Sequence, residues 1–160
     1  MSTVPRTTTV DGRPVGLDDV APELGRAMTA FMDVAYPGKV DLVTRELVRI
    51  YSGQRSNCRM CRNLRLRAAI DRGFDETMVD HLDDPESDQL DARQRAALRL
   101  AHAFLGDPRS FDTAAQEELL HHFTPEQVAE LLLDLVRYRP GSKLMVASGT
   151  EPQIDELLYG

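Results

Sequence analysis

Apolar positions along this chain recur at three- and four-residue intervals, the spacing of helix faces turned toward a core. Leu17, Val20, Leu24, Met28, Phe31 and Met32 outline a first helix from Leu17 to about Tyr36, where Tyr36-Pro37-Gly38 stops the run. A second is predicted from about Val40 to Ser52, ended by Gly53, and a third from about Cys58 to Arg72, ended by Gly73. Asp75 is placed to cap a short fourth. Leu90 to Leu105 reads as a fifth, with Leu98, Ala101, Phe104 and Leu105 on one side and Gly106-Asp107-Pro108 behind it. Asp112 or Thr113 suits the cap of a sixth, and Thr124-Pro125-Glu126-Gln127 is a start signal for a seventh, running to about Arg139. Pro140-Gly141 is expected to break it, with Lys143 to Ala147 resuming as a short last helix. No segment reads as a convincing strand.

The pattern predicts an all-α fold, a single-domain bundle of about six to eight helices. Its parts are an extended arm over residues 1–16, a helical domain over 17–150 and a polar tail over 151–160. A chain of 160 residues buries about 70% of its extended surface as one domain and is short for two. With 42% hydrophobic and 28% charged residues, the body has enough apolar surface to fold. No run approaches the ~18 apolar residues of a membrane span, and the N-terminus lacks the apolar segment of a secretory signal, so the cytoplasm is the expected compartment. A net charge of −7 argues against nucleic acid as a partner.

The charge is uneven. Between Arg45 and Arg72 eight arginines face only Glu46 and Asp71, so this window carries +6 and the rest of the chain −13. Such an island either attracts an anionic substrate, holds a thiolate, or is a solvated face paired with acidic helices. Both cysteines lie inside it, in Asn57-Cys58-Arg59-Met60-Cys61. Residues three apart share one side of a helix, so the two sulfurs are placed to bridge across a turn. Asn57 as N-cap would put Cys58 at the first helical position, where unpaired backbone N–H groups favour an anion. Arg62 lies one turn from Cys58 and Arg65 one turn from Cys61, and nearby positive charge lowers a cysteine pKa from about 8.5.

A redox dithiol is the leading reading. Zinc would need two more ligands, and none of His81, His102, His121 and His122 sits in a partner motif, so no metal and no cofactor are expected. Two inert core cysteines are the remaining alternative. Glu46 falls on the inward stripe between Val43 and Ile50. A buried carboxylate needs a partner or acquires a raised pKa suited to proton transfer, so Glu46 is either an ion-pair partner, with Arg49 or an arginine of the third helix, or a base, or both. His102, on a largely apolar helix, is a candidate proton relay.

These residues resemble the carboxymuconolactone decarboxylase and alkyl hydroperoxidase D superfamily. Glu46 lies twelve residues before Cys58, as in that family's peroxidases, Cys58 and Cys61 match its cysteine pair, and Ala68 to Glu76 is similar to its continuation. Arg65 stands where the family has a histidine, and a guanidinium can stabilise a thiolate or bind an anion but cannot act as a base. The resemblance implies an all-helical fold assembling as a homo-oligomer, trimer or hexamer. It further implies Cys61 as the peroxidatic thiolate, Cys58 as the resolving thiol, Glu46 in a proton relay, a hydroperoxide substrate and an external thiol reductant. The rivals are a non-redox lyase or isomerase acting on a small carboxylate held by Arg62 or Arg65, and a catalytically silent oligomeric binding protein.

Overall fold

The computed structural model describes residues 9–10, 13–14, 19, 21–33, 38–149, 151–152, 154 and 156–160. Leu17, Val20 and the Tyr36-Pro37 stop therefore lie outside the described residues, as does most of the expected arm. Thr9–Val10 (β1) and Arg13–Pro14 (β2) pair antiparallel. Helix α1 spans Pro22–Asp33, α2 Leu42–Arg55, α3 Arg59–Asn63, α4 Arg67–Ile70, α5 Ala92–Leu105, α6 Thr113–His122 and α7 Pro125–Ser148. Short 3-10 turns occupy Glu76–His81 and Pro108–Ser110. The fold is all-α, with two small sheets of paired two-residue strands among the described residues.

Helix α2 is the hub, packed against α7, α5 and α3. It is buried almost throughout from Val43 to Gly53, and its Leu47 and Ile50 join Leu98 of α5 and Leu131 and Leu135 of α7 in a fully enclosed cluster. Each such side chain contributes about 1.5–3 kcal/mol by leaving water. Start signals were legible: Asp91 and Thr124 each form a reciprocal capping box with Gln94 and Gln127, while Asp75 and Asp112 cap their own turns.

Four expectations are corrected. Gly53 does not end α2; it lies inside the helix, where a Cβ would stand 2.6 Å from Cys61 Cβ, so the glycine admits α3. Asn57 is not an N-cap: it turns the chain with φ 52°, a left-handed value asparagine tolerates, and Cys58 caps α3 instead. The single third helix is broken, because Leu64–Arg65 leaves it as strand β3 and pairs parallel with Leu158–Tyr159 (β4) from the far end of the chain. Pro140 does not interrupt α7, which runs through it to Ser148. Packing along α2 outweighs the one backbone hydrogen bond that proline removes.

Candidate functional site

The two cysteines sit where α2, α3 and α7 meet. Cys58 is wholly buried and Cys61 half-buried, both reduced, with sulfurs 3.0 Å apart. Cys58 Sγ also accepts from the Cys61 backbone N–H at 3.4 Å, the cap bond of α3, and Cys61 Sγ lies 3.1 Å from Ser142 Oγ on α7. Ser142 Oγ in turn donates to the Tyr138 carbonyl at 2.8 Å.

These contacts divide the pair. The hydrogen bond from the Cys61 thiol brings Cys58 down to about 6, helped by the Cys61 N–H and Ser142 and opposed by burial and the Glu151 carboxylate. Cys61 moves the other way, because sharing its proton with Cys58 and being buried both favour its thiol, against Ser142 and the charge of Arg49. The two thiols therefore titrate as a coupled pair, with these contacts favouring the thiolate at Cys58 and the thiol at Cys61.

Glu46 and Arg49 brace this arrangement from α2. The Glu46 carboxylate is enclosed and accepts from Arg49 Nε and Nη2, both at 2.8 Å, and from the Leu66 N–H at 2.9 Å. Arg49 then donates to the carbonyls of Cys61 at 3.1 Å and Leu64 at 2.5 Å. Although burial pulls the guanidinium down, Glu46 holds it above its ordinary value. The ion-pair partner expected of Glu46 is present: its oxygens face Arg49 and a backbone amide, and Arg49 carries the effect to the α3–β3 segment.

The other candidate residues lie elsewhere. Arg65 is buried, but its guanidinium turns to Glu76, at 2.6 and 2.5 Å, and to the carbonyls of Arg62 and Leu64. Arg62 reaches Asn57 Oδ1 at 3.0 Å. Neither has a hydrogen bond to a sulfur, and the arginine whose charge acts on Cys61 is Arg49. His102 stacks on Tyr51, centroids 4.2 Å apart, and its Nε2 meets the Leu82 carbonyl at 2.8 Å. His121 and His122 make an edge-to-face pair at the end of α6. Among the described residues no group of three His, Cys, Asp or Glu is placed to hold a metal ion, and no helix is long and apolar enough to cross a membrane.

Ser142 was missed by sequence reasoning, since nothing local ties a serine 81 residues away to Cys61. Arg49 was legible only as a neighbour of Glu46. Its i+3 spacing from a buried carboxylate was the signal available.

Residues 22–103 match the model of the carboxymuconolactone decarboxylase family. The chain belongs to this family. The uncharacterized proteins MT2376 and Rv2313c of Mycobacterium tuberculosis, strains CDC 1551 / Oshkosh and H37Rv, are each 32% identical to it over 125 residues. The match covers 77% of this chain and 44% of theirs, so the chain spans less than half the length of these relatives. Among solved structures, ATU0492 of Agrobacterium tumefaciens is a protein of unknown function likened to the antioxidant defence protein AhpD. It superposes with TM-score 0.70 at 15% identity, over 89% of this chain and 99% of its own. The debrominase Bmp8 superposes with TM-score 0.63 at 19% identity, over 84% and 72%. These likenesses establish the alkyl hydroperoxidase D-like helical fold of this family member.

Proposed function

We propose that this chain is a dithiol–disulfide oxidoreductase that reduces a hydroperoxide through Cys61 and Cys58. The observation that carries the reading is the pair of reduced sulfurs 3.0 Å apart, Cys58 enclosed and Cys61 half-buried. Passing one proton from Cys61 to Cys58 moves the charge to the accessible sulfur, the nucleophilic form. Cys61 then attacks a peroxide oxygen and the O–O bond breaks. The alkoxide leaves as the alcohol after taking a proton, and Cys61 becomes a sulfenic acid. Cys58 attacks that sulfur, water departs and the disulfide closes. An external thiol reductant donates the two electrons that reopen it.

In this scheme Glu46 and Arg49 are positioning residues, fixing the Cys61 and Leu64 carbonyls and so the turn that carries the pair. Arg65 and His102 have no step. A homo-oligomer in a reducing cytoplasm completes the reading: Leu24 of α1 and Leu133 of α7 are more than half exposed and offer apolar surface to another copy.

The test is to treat reduced Cys58→Ser protein with hydroperoxide and a sulfenic-acid probe. Labelling at Cys61 supports the mechanism. Labelling only at Cys58, in the Cys61→Ser protein, reverses the two roles. Labelling in neither retires the peroxidase reading in favour of a non-redox lyase or isomerase, whose turnover Cys61→Ser leaves unchanged.

A further inference from the structure

The described residues of the segment 151–160 are bonded to the dithiol segment at several points. Strand β4 pairs with β3, the Gly160 N–H donates to the Arg65 carbonyl at 2.9 Å, and the Arg67 N–H donates to the Gly160 carbonyl at 2.7 Å. Asn63 Nδ2 donates to the Ile154 carbonyl at 2.6 Å, and the Arg67 guanidinium covers the Tyr159 ring at 5.3 Å. At the cysteine end, the Arg59 N–H, next to Cys58, donates to Glu151 Oε1 at 3.3 Å, and Arg59 Nε lies 3.8 Å from the same oxygen. These contacts run from one side of α3 to the start of α4, and tie residues inside the part of the chain that matches the family model to a segment beyond it.

We propose that residues 151–160 are a strap that restrains the dithiol: docked, they pin the α3–β3–α4 segment and set the Glu151 carboxylate on the Arg59 N–H, one residue from Cys58, and released, they free both. The inference rests on the reading that Cys58 and Cys61 are a reactive pair, and goes beyond it by assigning control of that reactivity to a segment outside the motif. Charge acts against charge at this site. Cys61 of α3 and Ser142 of α7 stabilise a Cys58 thiolate, and Arg49 of α2 acts on Cys61. Glu151 is the anion that opposes Cys58, and it is enclosed enough, at 10% exposure, to be poorly screened.

Two variants separate the charge from the tether. Glu151→Gln keeps a carbonyl oxygen for the Arg59 N–H and removes only the charge. Truncation after Gly149 removes the strap. Both are compared with wild type by the thiolate absorbance of the reduced protein from pH 5 to pH 9, which reads an enclosed sulfur as well as an exposed one. Glu151→Gln is expected to titrate with its midpoint moved down from about 6, and so to carry more thiolate than wild type at pH 5, because the opposing carboxylate charge is gone. At pH 9, where the thiolate is fully formed in both, it converges on wild type. Truncation removes the same charge and the tether, and is expected to move the midpoint down and to speed amide exchange over residues 59–67. A wild-type midpoint for Glu151→Gln, or wild-type exchange in the truncated protein, overturns the proposal. Thiolate absorbance is independent of turnover, so a failed peroxidase assay beside a shifted midpoint retires the proposed activity and leaves the strap standing.

Discussion

Glu46→Gln is the substitution that tests most sharply how the site is braced. The carboxylate is enclosed and accepts three hydrogen bonds, two from the Arg49 guanidinium and one from the Leu66 amide. Glutamine conserves volume and one acceptor oxygen, but removes the charge and turns an NH₂ group toward a cation or an amide. Breaking a buried ion pair at one partner costs about 3–5 kcal/mol, since the other charge is left uncompensated. Arg49 keeps its two carbonyl acceptors, which favours the lower end, about 3 kcal/mol. With a urea slope of about 2 kcal/mol/M, the unfolding midpoint should fall by ~1.5 M. The double variant Glu46→Gln with Arg49→Met should recover part of the loss, because no buried charge then lacks a partner. Hydrogen exchange should rise first at the amides of 61–66, the segment held by Arg49 and Glu46. A midpoint shift under ~0.3 M, or a double variant less stable than the sum of the single changes, would refute the ion pair as the brace.

Gly53→Ala should destabilise by about 1–3 kcal/mol and slow disulfide closure, because its Cβ meets both the Cys61 side chain and backbone; a melting curve and a timed thiol count check this. Arg65→Gln should lower stability by about 1–3 kcal/mol through its buried carbonyl contacts while leaving the thiolate absorbance titration in place, since its partners are Glu76 and backbone rather than sulfur. The thiolate absorbance of wild type should rise by one equivalent with a midpoint of about 6, and the second thiol should stay protonated through pH 9. Because Cys58 lies below its unfolded value, its contribution to stability is full above about pH 9, declines as pH falls and is gone below about 6, as urea midpoints across that range should show.

What the sequence disclosed, and what it hid, follows from the range of the interactions. The starts of α5 and α7 were readable because a capping box is written within four residues, Asp91 with Gln94 and Thr124 with Gln127. Glu46 was readable as a buried carboxylate from the helical stripe around it, and the cysteine pair from spacing. The break of the third helix was not readable, because it depends on β4 arriving from residues 158–159 and on Arg49 taking the Cys61 and Leu64 carbonyls. Arg65 misled for a related reason. Placed one turn after Cys61 on a continuous helix it would lie beside the sulfurs, but β3 redirects it to Glu76. Pro140 was given a local meaning that the packing of α7 on α2 overrides.

The measurement that bears most directly on the dithiol reading is the intact mass and free-thiol count of the reduced protein, before and after brief exposure to one equivalent of hydroperoxide. A redox dithiol should lose about 2 Da and both thiols within the mixing time, with Cys58 and Cys61 joined in one peptide. Two free thiols and an unchanged mass over the same interval would contradict it.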